Sequence, residues 1–255
     1  MEDRPWYCVR QRAGPLTKEC RAIRPRLSKD DSRSDRRENN EIIRSPPSAV
    51  CRSQADRLEL RLALFGYEGV HYTLTYDALH LPRTFREAMA TKRAFMARAR
   101  RFNDGQPFDW VTCIEGLHGD HRYHIHMVLR ESDFPPAVVR HLWTAGEVDD
   151  EPVLMAEGGY RRLAEYLTKE RTDGIIIPIG RRPWSCSRSL SGQLPPPERW
   201  RDESGAIDIP SQVLWSRRNQ RENNFGAYNY ASYIVPKGAL SGFPSRAHAH
   251  ARDLS

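Results

Sequence analysis

The chain has 255 residues, a length that suits one sizeable domain with tails or two small domains. Hydrophobic residues make up 39% and charged residues 29%, so a core can form beneath a strongly charged surface. Forty basic against 33 acidic side chains give a formal net charge of +7, which suits a polyanionic partner such as DNA. The five scattered cysteines form no CxxC pair, which argues against a zinc finger or disulfide framework and favours a reducing cytoplasm. No signal peptide and no membrane span is recognisable in the sequence, so we expect a cytoplasmic protein without membrane contact.

The two ends of the chain differ in composition from its middle. The first 48 residues are rich in Arg, Ser, Pro, Asp and Asn and lack apolar periodicity, which predicts a disordered basic arm over 1–48. We expect the folded core over 49–191 and a C-terminal extension, packed on or near that core, over 192–238. Residues 239–255 are expected to be a flexible tail.

The first part of the expected core alternates helices and strands. Apolar residues at helical spacing predict a helix over 55–65. The β-branched and aromatic run VHYTLTY predicts a strand over 70–76. An amphipathic helix with an arginine-rich outer face is expected over 84–102, followed by a strand over 108–115 and a glycine-containing turn over 116–120.

The second part continues with a strand over 122–130, which completes an antiparallel hairpin. Helices are predicted over 135–143 and 160–169, and strands over 175–179 and 184–187. Beyond Ser191 the prolines suggest irregular structure, with a last ordered, aromatic-rich segment over 225–235. Strands joined by tight turns favour an α+β fold, with a central antiparallel β-sheet and helices packed on it.

A candidate metal site stands out on the predicted hairpin. His124 and His126 are two residues apart on a strand, so their imidazoles project from the same face while Ile125 and Met127 supply core. Glu115 ends the partner strand and is expected opposite or close to His124. Two imidazoles and one carboxylate form a ligand set for a divalent ion. An HxH pair also occurs by chance, and His118 and His121 in the turn are either outer groups or solvated loop residues.

A candidate nucleophile lies on the helix predicted over 160–169. Tyr160, Leu163 and Leu167 fall on its apolar face, and Tyr166 lies at the rim of that face. Lys169 and Arg162 lie one turn on either side of Tyr166, where they would favour the phenolate and bind a phosphodiester. The plain alternative is that Tyr166 is an amphipathic packing residue with its hydroxyl in water.

Three of these segments together resemble the motifs of HUH-superfamily rolling-circle replication initiators of phages and plasmids. Thr73-Leu74-Thr75-Tyr76 resembles their first motif, and Glu115 with His124-Ile125-His126 resembles the second. Tyr166-Leu167-Thr168-Lys169 is similar to the third, Tyr-x-x-Lys, and all three stand in the family's order. The segment Ser187-Arg188-Ser189-Leu190 also resembles a Ser-Arg-x-Leu segment found in phage and mobile-element members.

The resemblance implies an enzyme that nicks and joins single-stranded DNA at a replication origin through a 5′-phosphotyrosine intermediate. Glu115, His124 and His126 would hold Mg²⁺ or Mn²⁺, Tyr166 would be the nucleophile, and Lys169 would assist at the phosphate. Further candidates for binding DNA or phosphate are Arg162, Arg188 and Tyr160. The expected partners are the single-stranded origin and a host helicase and polymerase, because no P-loop motif is present. The expected location is the cytoplasm of a bacterial host.

One position departs from the family pattern, and several alternatives stay open. Members with two tyrosines carry the second one four residues before the first, where this chain has Arg162, so a one-tyrosine enzyme is favoured. A conjugative relaxase or a single-tyrosine transposase would use the same chemistry. A non-haem Fe(II) oxygenase also uses two histidines and a carboxylate, although usually at another spacing. A non-catalytic DNA-binding protein would need only the positive charge.

Overall fold

A computed structural model describes residues 5–23, 47–116, 122–154, 158–168, 184–223 and 226–238. The strands are β1 (Trp6–Ala13), β2 (Leu16–Ile23), β3 (Gly69–Leu74), β4 (Val111–Glu115), β5 (His124–Arg130), β6 (Val148–Pro152), β7 (Trp184–Cys186), β8 (Glu198–Asp202), β9 (Trp215–Asn223) and β10 (Gly226–Ile234). The helices are α1 (Pro47–Ala63), α2 (Phe85–Phe102), α3 (Pro136–Leu142), α4 (Gly159–Thr168) and α5 (Arg188–Gly192), with a 3₁₀ turn at Gly66–Glu68. Within these residues no helix is both long and apolar enough to span a membrane.

The strands form two five-stranded antiparallel sheets. The first, here called the histidine sheet, has the order β6-β3-β5-β4-β7 and contains the predicted hairpin. The second, the terminal sheet, has the order β8-β1-β2-β10-β9 and joins the two ends of the chain. The α+β class predicted from the sequence is confirmed, but the chain builds two sheets rather than one.

The expectation of a disordered arm over 1–48 is wrong for residues 6–23, which form the hairpin β1–β2. Gly14 makes the turn at a φ of +51°, and a side chain there would meet the Ala63 carbonyl oxygen at 2.1 Å. The stabilising partners of this hairpin are β8 and β10, about 180 to 210 residues later, so local composition gave no sign of them. Residues 24–46 and the predicted tail 239–255 lie outside the described residues.

The C-terminal region is also more regular than its sequence suggests. Three strands, β8, β9 and β10, occupy most of 198–234, where irregular structure and one ordered segment were expected. β9 reads WSRRNQREN and lacks the apolar alternation of a half-buried strand, because it is an edge strand exposed along most of its length. The predicted strand over 184–187 is present as β7, whereas that over 175–179 lies outside the described residues.

Helices fill the space on both sides of the histidine sheet. Leu58 and Leu62 of α1 and Leu163 of α4 form one core with Val111 and Val128 of the sheet. Leu16 and Ile234 of the terminal sheet join the same core, so α1 and α4 lie between the two sheets. On the opposite face of the histidine sheet, helices α2 and α3 form a second core with β3 and β5, built around Phe95, Val139, Tyr72, Ile125 and Met127.

A buried ion-pair network joins the terminal sheet to α1 and α4. The Nζ atom of Lys18 lies 2.7 Å from Glu59 Oε2 and 3.1 Å from Asp56 Oδ1. Arg161 of α4 pairs with the same Asp56 and lies 3.6 Å from Glu59. Burial alone would lower the pKa of Lys18, but the charge of Glu59 outweighs it and the pKa is raised. The position of α4 is therefore tied to the terminal sheet by charge as well as by apolar packing.

We expect Glu59→Ala to lower the free energy of unfolding by roughly 3 kcal/mol, because it leaves buried Lys18 without its main counter-charge. Urea denaturation followed by far-UV circular dichroism measures this change. Glu68→Ala removes an exposed carboxylate and is the matched control, expected to shift stability by less than about 0.5 kcal/mol. Equal effects of the two substitutions would show that the network contributes nothing specific.

Candidate active site on the histidine sheet

The hairpin β4–β5 places three of the predicted residues on one face of the sheet. Glu115 pairs directly with His124, and Cys113 pairs with His126. Because side chains alternate along a strand, Glu115, His124 and His126 all project towards α4. Ile125 and Met127 project to the other side and are fully buried in the second core.

The closest contact in this group joins Glu115 to His126 rather than to His124. Oε2 of Glu115 lies 2.7 Å from Nε2 of His126. The His126 ring is buried and the Glu115 side chain is largely covered, with 14% exposure. A contact this short between a carboxylate and an imidazole nitrogen requires a shared proton or another cation to offset desolvation of the carboxylate.

Tyr166 lies directly over this pair. Its hydroxyl donates to Glu115 Oε2 at 3.3 Å, and its ring meets the His126 ring edge-on with centroids 5.5 Å apart. The Tyr166 side chain nevertheless keeps 42% of its surface exposed. The structure thus brings the predicted nucleophile to the predicted ligand strand with its hydroxyl accessible from solvent.

A third histidine, left unassigned in the sequence, completes the arrangement from below. Nε2 of His71 lies 3.1 Å from Nδ1 of His126, and the two rings stack with centroids 5.2 Å apart. Nδ1 of His71 lies 2.8 Å from Glu151 Oε1, and Thr73 Oγ1 is 3.4 Å from His126 Nδ1. Both ring nitrogens of His126 are therefore engaged, one by Glu115 and one by His71.

Burial, reinforced by the adjacent His126, lowers the pKa of His71 well below its ordinary value. A neutral His71 that donates Nδ1–H to Glu151 presents Nε2 as an acceptor towards His126. The alternation in VHYTLTY could have revealed His71, since it shares a face with Thr73 and hence with His126. Glu151 gave no such signal, because the acidic edge strand VDDEP of β6 was not recognised as a strand.

The donor chemistry of the site suits a divalent ion. Two imidazoles and a carboxylate share one face, and Nδ1 of His124 is buried with no hydrogen-bond partner among the described residues. An orphaned buried nitrogen is costly unless a ligand satisfies it. In the described part of the chain, however, no three His, Cys, Asp or Glu side chains are already arranged around a common ion position.

The assignment of Tyr160 to DNA or phosphate binding is wrong. Its side chain is fully buried, and its hydroxyl donates to the Gly66 carbonyl at 2.9 Å. Burial also raises the pKa of this phenol. Tyr160 faces the core because it shares the apolar stripe of α4 with Leu163 and Leu167. Arg162, one turn before Tyr166, is exposed on the outer side of the same helix.

Arg188 is exposed but lies away from Tyr166. Ser187 caps α5 by accepting from the Leu190 N–H at 3.1 Å, and Ser189 donates to Asp109 at 2.7 Å. Because Ser187 N–H bonds to the carbonyl of Trp110, α5 starts beside the beginning of β4, and Glu115 ends that strand. Five residues of strand separate the two points by roughly 16 Å. The Ser-Arg-x-Leu segment therefore anchors α5, and its arginine does not reach the Tyr166 hydroxyl.

The remaining predicted residues cannot be placed. Lys169, His118 and His121 lie outside the described residues.

A comparison with protein families places part of the chain among replication proteins. Residues 70–171, two fifths of the chain, match a family described as replication-associated protein of the ORF2 type. No curated protein and no solved structure gives a significant match. The family match supports a replication initiator, and it covers β3 through α4, which contain every site residue described above.

The two tyrosines of α4 should respond oppositely to loss of the hydroxyl. Tyr160→Phe leaves the Gly66 carbonyl without its buried donor and should lower the unfolding free energy by about 1 kcal/mol. Tyr166→Phe should change it by less than about 0.5 kcal/mol, since that hydroxyl reaches solvent. Thermal and urea unfolding of the two variants provide the comparison. A larger loss for Tyr166→Phe would mean that its hydroxyl has a structural role.

Proposed function

We propose that this protein is a metal-dependent nickase of the HUH type, which opens and rejoins single-stranded DNA at a replication origin through Tyr166. The observation that carries this proposal is the position of an exposed tyrosine hydroxyl, 3.3 Å from a carboxylate that itself contacts a buried strand histidine. The family match supports the replication role, and a phage or plasmid is the expected replicon. A host helicase and polymerase would then extend the nicked strand.

Glu115, His124 and His126 are the residues that would hold the divalent ion, Mg²⁺ or Mn²⁺. When bound, such an ion polarises the scissile phosphate as a Lewis acid and helps orient it for in-line attack. Neutral imidazole nitrogens and a carboxylate are suitable donors, and the orphaned Nδ1 of His124 supports a ligand at this position.

The side chains of the site account for the bond changes. The Tyr166 oxygen attacks phosphorus, forming a phosphotyrosine bond as the bond from phosphorus to the 3′ oxygen breaks. The phenol proton passes towards Glu115 Oε2, the acceptor that it already faces, and the leaving 3′ oxygen takes up a proton. The 5′ phosphate stays on Tyr166, so a 3′ hydroxyl can later reverse the reaction without ATP.

Positive side chains on and after α4 would stabilise the phosphate oxygens. Arg162 is exposed one helical turn before Tyr166, on a helix whose apolar face is fixed in the core. Lys169, immediately after α4, is proposed for the same purpose from its place in the Tyr-x-x-Lys motif. With Arg162 at the position of a second tyrosine, the reaction is proposed to use a single nucleophile.

Other activities fit the observations less well. A relaxase or a single-tyrosine transposase would share the chemistry, but the family match favours replication. An Fe(II) oxygenase would share the ligand set, yet it needs no tyrosine hydroxyl beside the carboxylate. A non-catalytic DNA-binding protein gives no reason for the contacts that join Tyr166, Glu115 and His126.

The test uses single-stranded oligonucleotides that tile the protein's own replicon and carry a fluorophore at the 3′ end. With Mn²⁺, the wild type should form a labelled adduct that survives a denaturing protein gel, because the 3′ fragment stays on Tyr166. EDTA and Tyr166→Phe should each abolish the adduct, whereas Tyr160→Phe should retain it. An adduct that survives Tyr166→Phe would refute this nucleophile, and no adduct on any oligonucleotide would refute the nickase.

His71 and Glu151 are predicted to position His126 for the ion. Replacing a group that orients a metal-ligating histidine weakens metal affinity by roughly 10- to 100-fold. We therefore expect His71→Ala and Glu151→Gln to weaken Mn²⁺ binding, measured from the free-Mn²⁺ signal in electron paramagnetic resonance. His80→Ala removes an exposed histidine held only by nearby Asp77 and should leave the affinity unchanged. Unchanged affinity in both His71 and Glu151 variants would rule out this positioning role.

A further inference from the structure

One face of the terminal sheet combines aromatic and basic side chains in register. A single row crosses all five strands, since Tyr7 pairs with Arg201 and Ala22, and Tyr228 pairs with Ala22 and Arg221. We call this row and its same-face neighbours the tyrosine face. The next row on this face consists of Arg199, Val9, Cys20, Tyr230 and Asn219.

The described residues leave much of the tyrosine face open. Tyr7 is 50% exposed and Val9 37% exposed, and both Arg201 and Arg221 are exposed. The Arg201 guanidinium lies over the Tyr7 ring, 5.2 Å from its centroid. Between the two tyrosines stands only the methyl group of Ala22. Two strand spacings separate them by about 10 Å, which leaves a gap wide enough for a flat ring.

Charge is divided between the two faces of this sheet. The tyrosine face carries Lys18 and the four arginines 199, 201, 217 and 221, and none of the strand carboxylates projects from it. The acidic residues Glu19, Glu198, Asp202 and Glu222 all project from the other face. There, Glu19 is buried between Arg10 and Arg21, so the opposite face consumes its charge internally.

The tyrosine face is firmly attached to the helix that carries the nucleophile. At its inner end the same face contributes Leu16 and Ile234 to the core shared with α1 and α4. Ile234 also approaches Gly159, the first residue of α4, so closely that a side chain there would clash at 2.5 Å. A strand of DNA bound on the face would thus be held against the layer that contains Tyr166.

We propose that the tyrosine face binds single-stranded DNA, with bases stacked on Tyr7 and Tyr228 and phosphates held by Arg201 and Arg221. Aromatic rings interleaved with arginines bind single strands without strong sequence preference, because every base offers a flat surface for stacking. Carboxylates facing the other way leave this side attractive to a polyanion. The inference goes beyond the proposed nicking reaction, since it requires neither metal nor cleavage.

Binding is measured by fluorescence anisotropy with a labelled oligo(dT) about 20 nucleotides long, enough to span one such site, in EDTA, so that no covalent chemistry contributes. Tyr7→Ala should weaken binding roughly tenfold, and Tyr7→Phe, which keeps the ring, should restore it. Arg221→Ala should weaken binding and reduce the dependence of log Kd on log salt by about 0.7. Arg218→Ala is the matched control, because it removes the same charge from the same strand on the opposite face.

The outcomes separate this proposal from the nickase. Weaker binding by Tyr7→Ala and Arg221→Ala, with normal binding by Arg218→Ala and Tyr166→Phe, supports the tyrosine face whether or not an adduct forms. Equal losses for Arg221→Ala and Arg218→Ala would reduce the effect to net charge and overturn the proposal. Tighter binding to duplex DNA or to oligo(U) than to oligo(dT) would overturn it as well. Unfolding curves that match the wild type confirm that each variant is folded.

Discussion

The contact between Glu115 and His126 is the constraint on which the site depends. A carboxylate and an imidazole this close must share a proton or a cation, and both are largely withdrawn from water. The antiparallel register of β4 and β5 enforces the contact by placing both side chains on one face. Tyr166 adds its hydroxyl to the same carboxylate oxygen, so three functional groups converge at one point.

The surroundings of His126 explain how this point stays fixed. One ring nitrogen meets Glu115 and the other meets His71, which is itself held by Glu151 at the edge of the sheet. Each link is a hydrogen-bonding contact between residues on neighbouring strands, so the backbone ladder sets the geometry of the side chains. Such a chain restricts both the rotation of the imidazole and its choice of protonated nitrogen.

The sequence predicted the elements that have local signals. The alternation of His124, Ile125, His126 and Met127 predicted both the strand and its two faces, and apolar spacing predicted α2 and α4. Long-range pairing was not predictable in this way: β1 and β2 lack a convincing pattern because their partners, β8 and β10, come near the other end of the chain. Edge strands such as β6 and β9 escaped for a related reason, since a strand with little buried surface needs no apolar alternation.

Helical periodicity also explains why the two tyrosines of α4 were hard to separate from sequence. Tyr160 fills the core and Tyr166 lies at the rim, although both are aromatic residues on the same short helix. What fixes the rotation of the helix is the other side: Leu163 and Ala164 are buried in the core beside α1, and Arg161 pairs with Asp56 of α1. Once these contacts fix the inner face, Tyr166 can point only towards the histidine sheet and solvent. The ion pairs with the terminal sheet and the hydroxyl over Glu115 are therefore two consequences of one helix orientation.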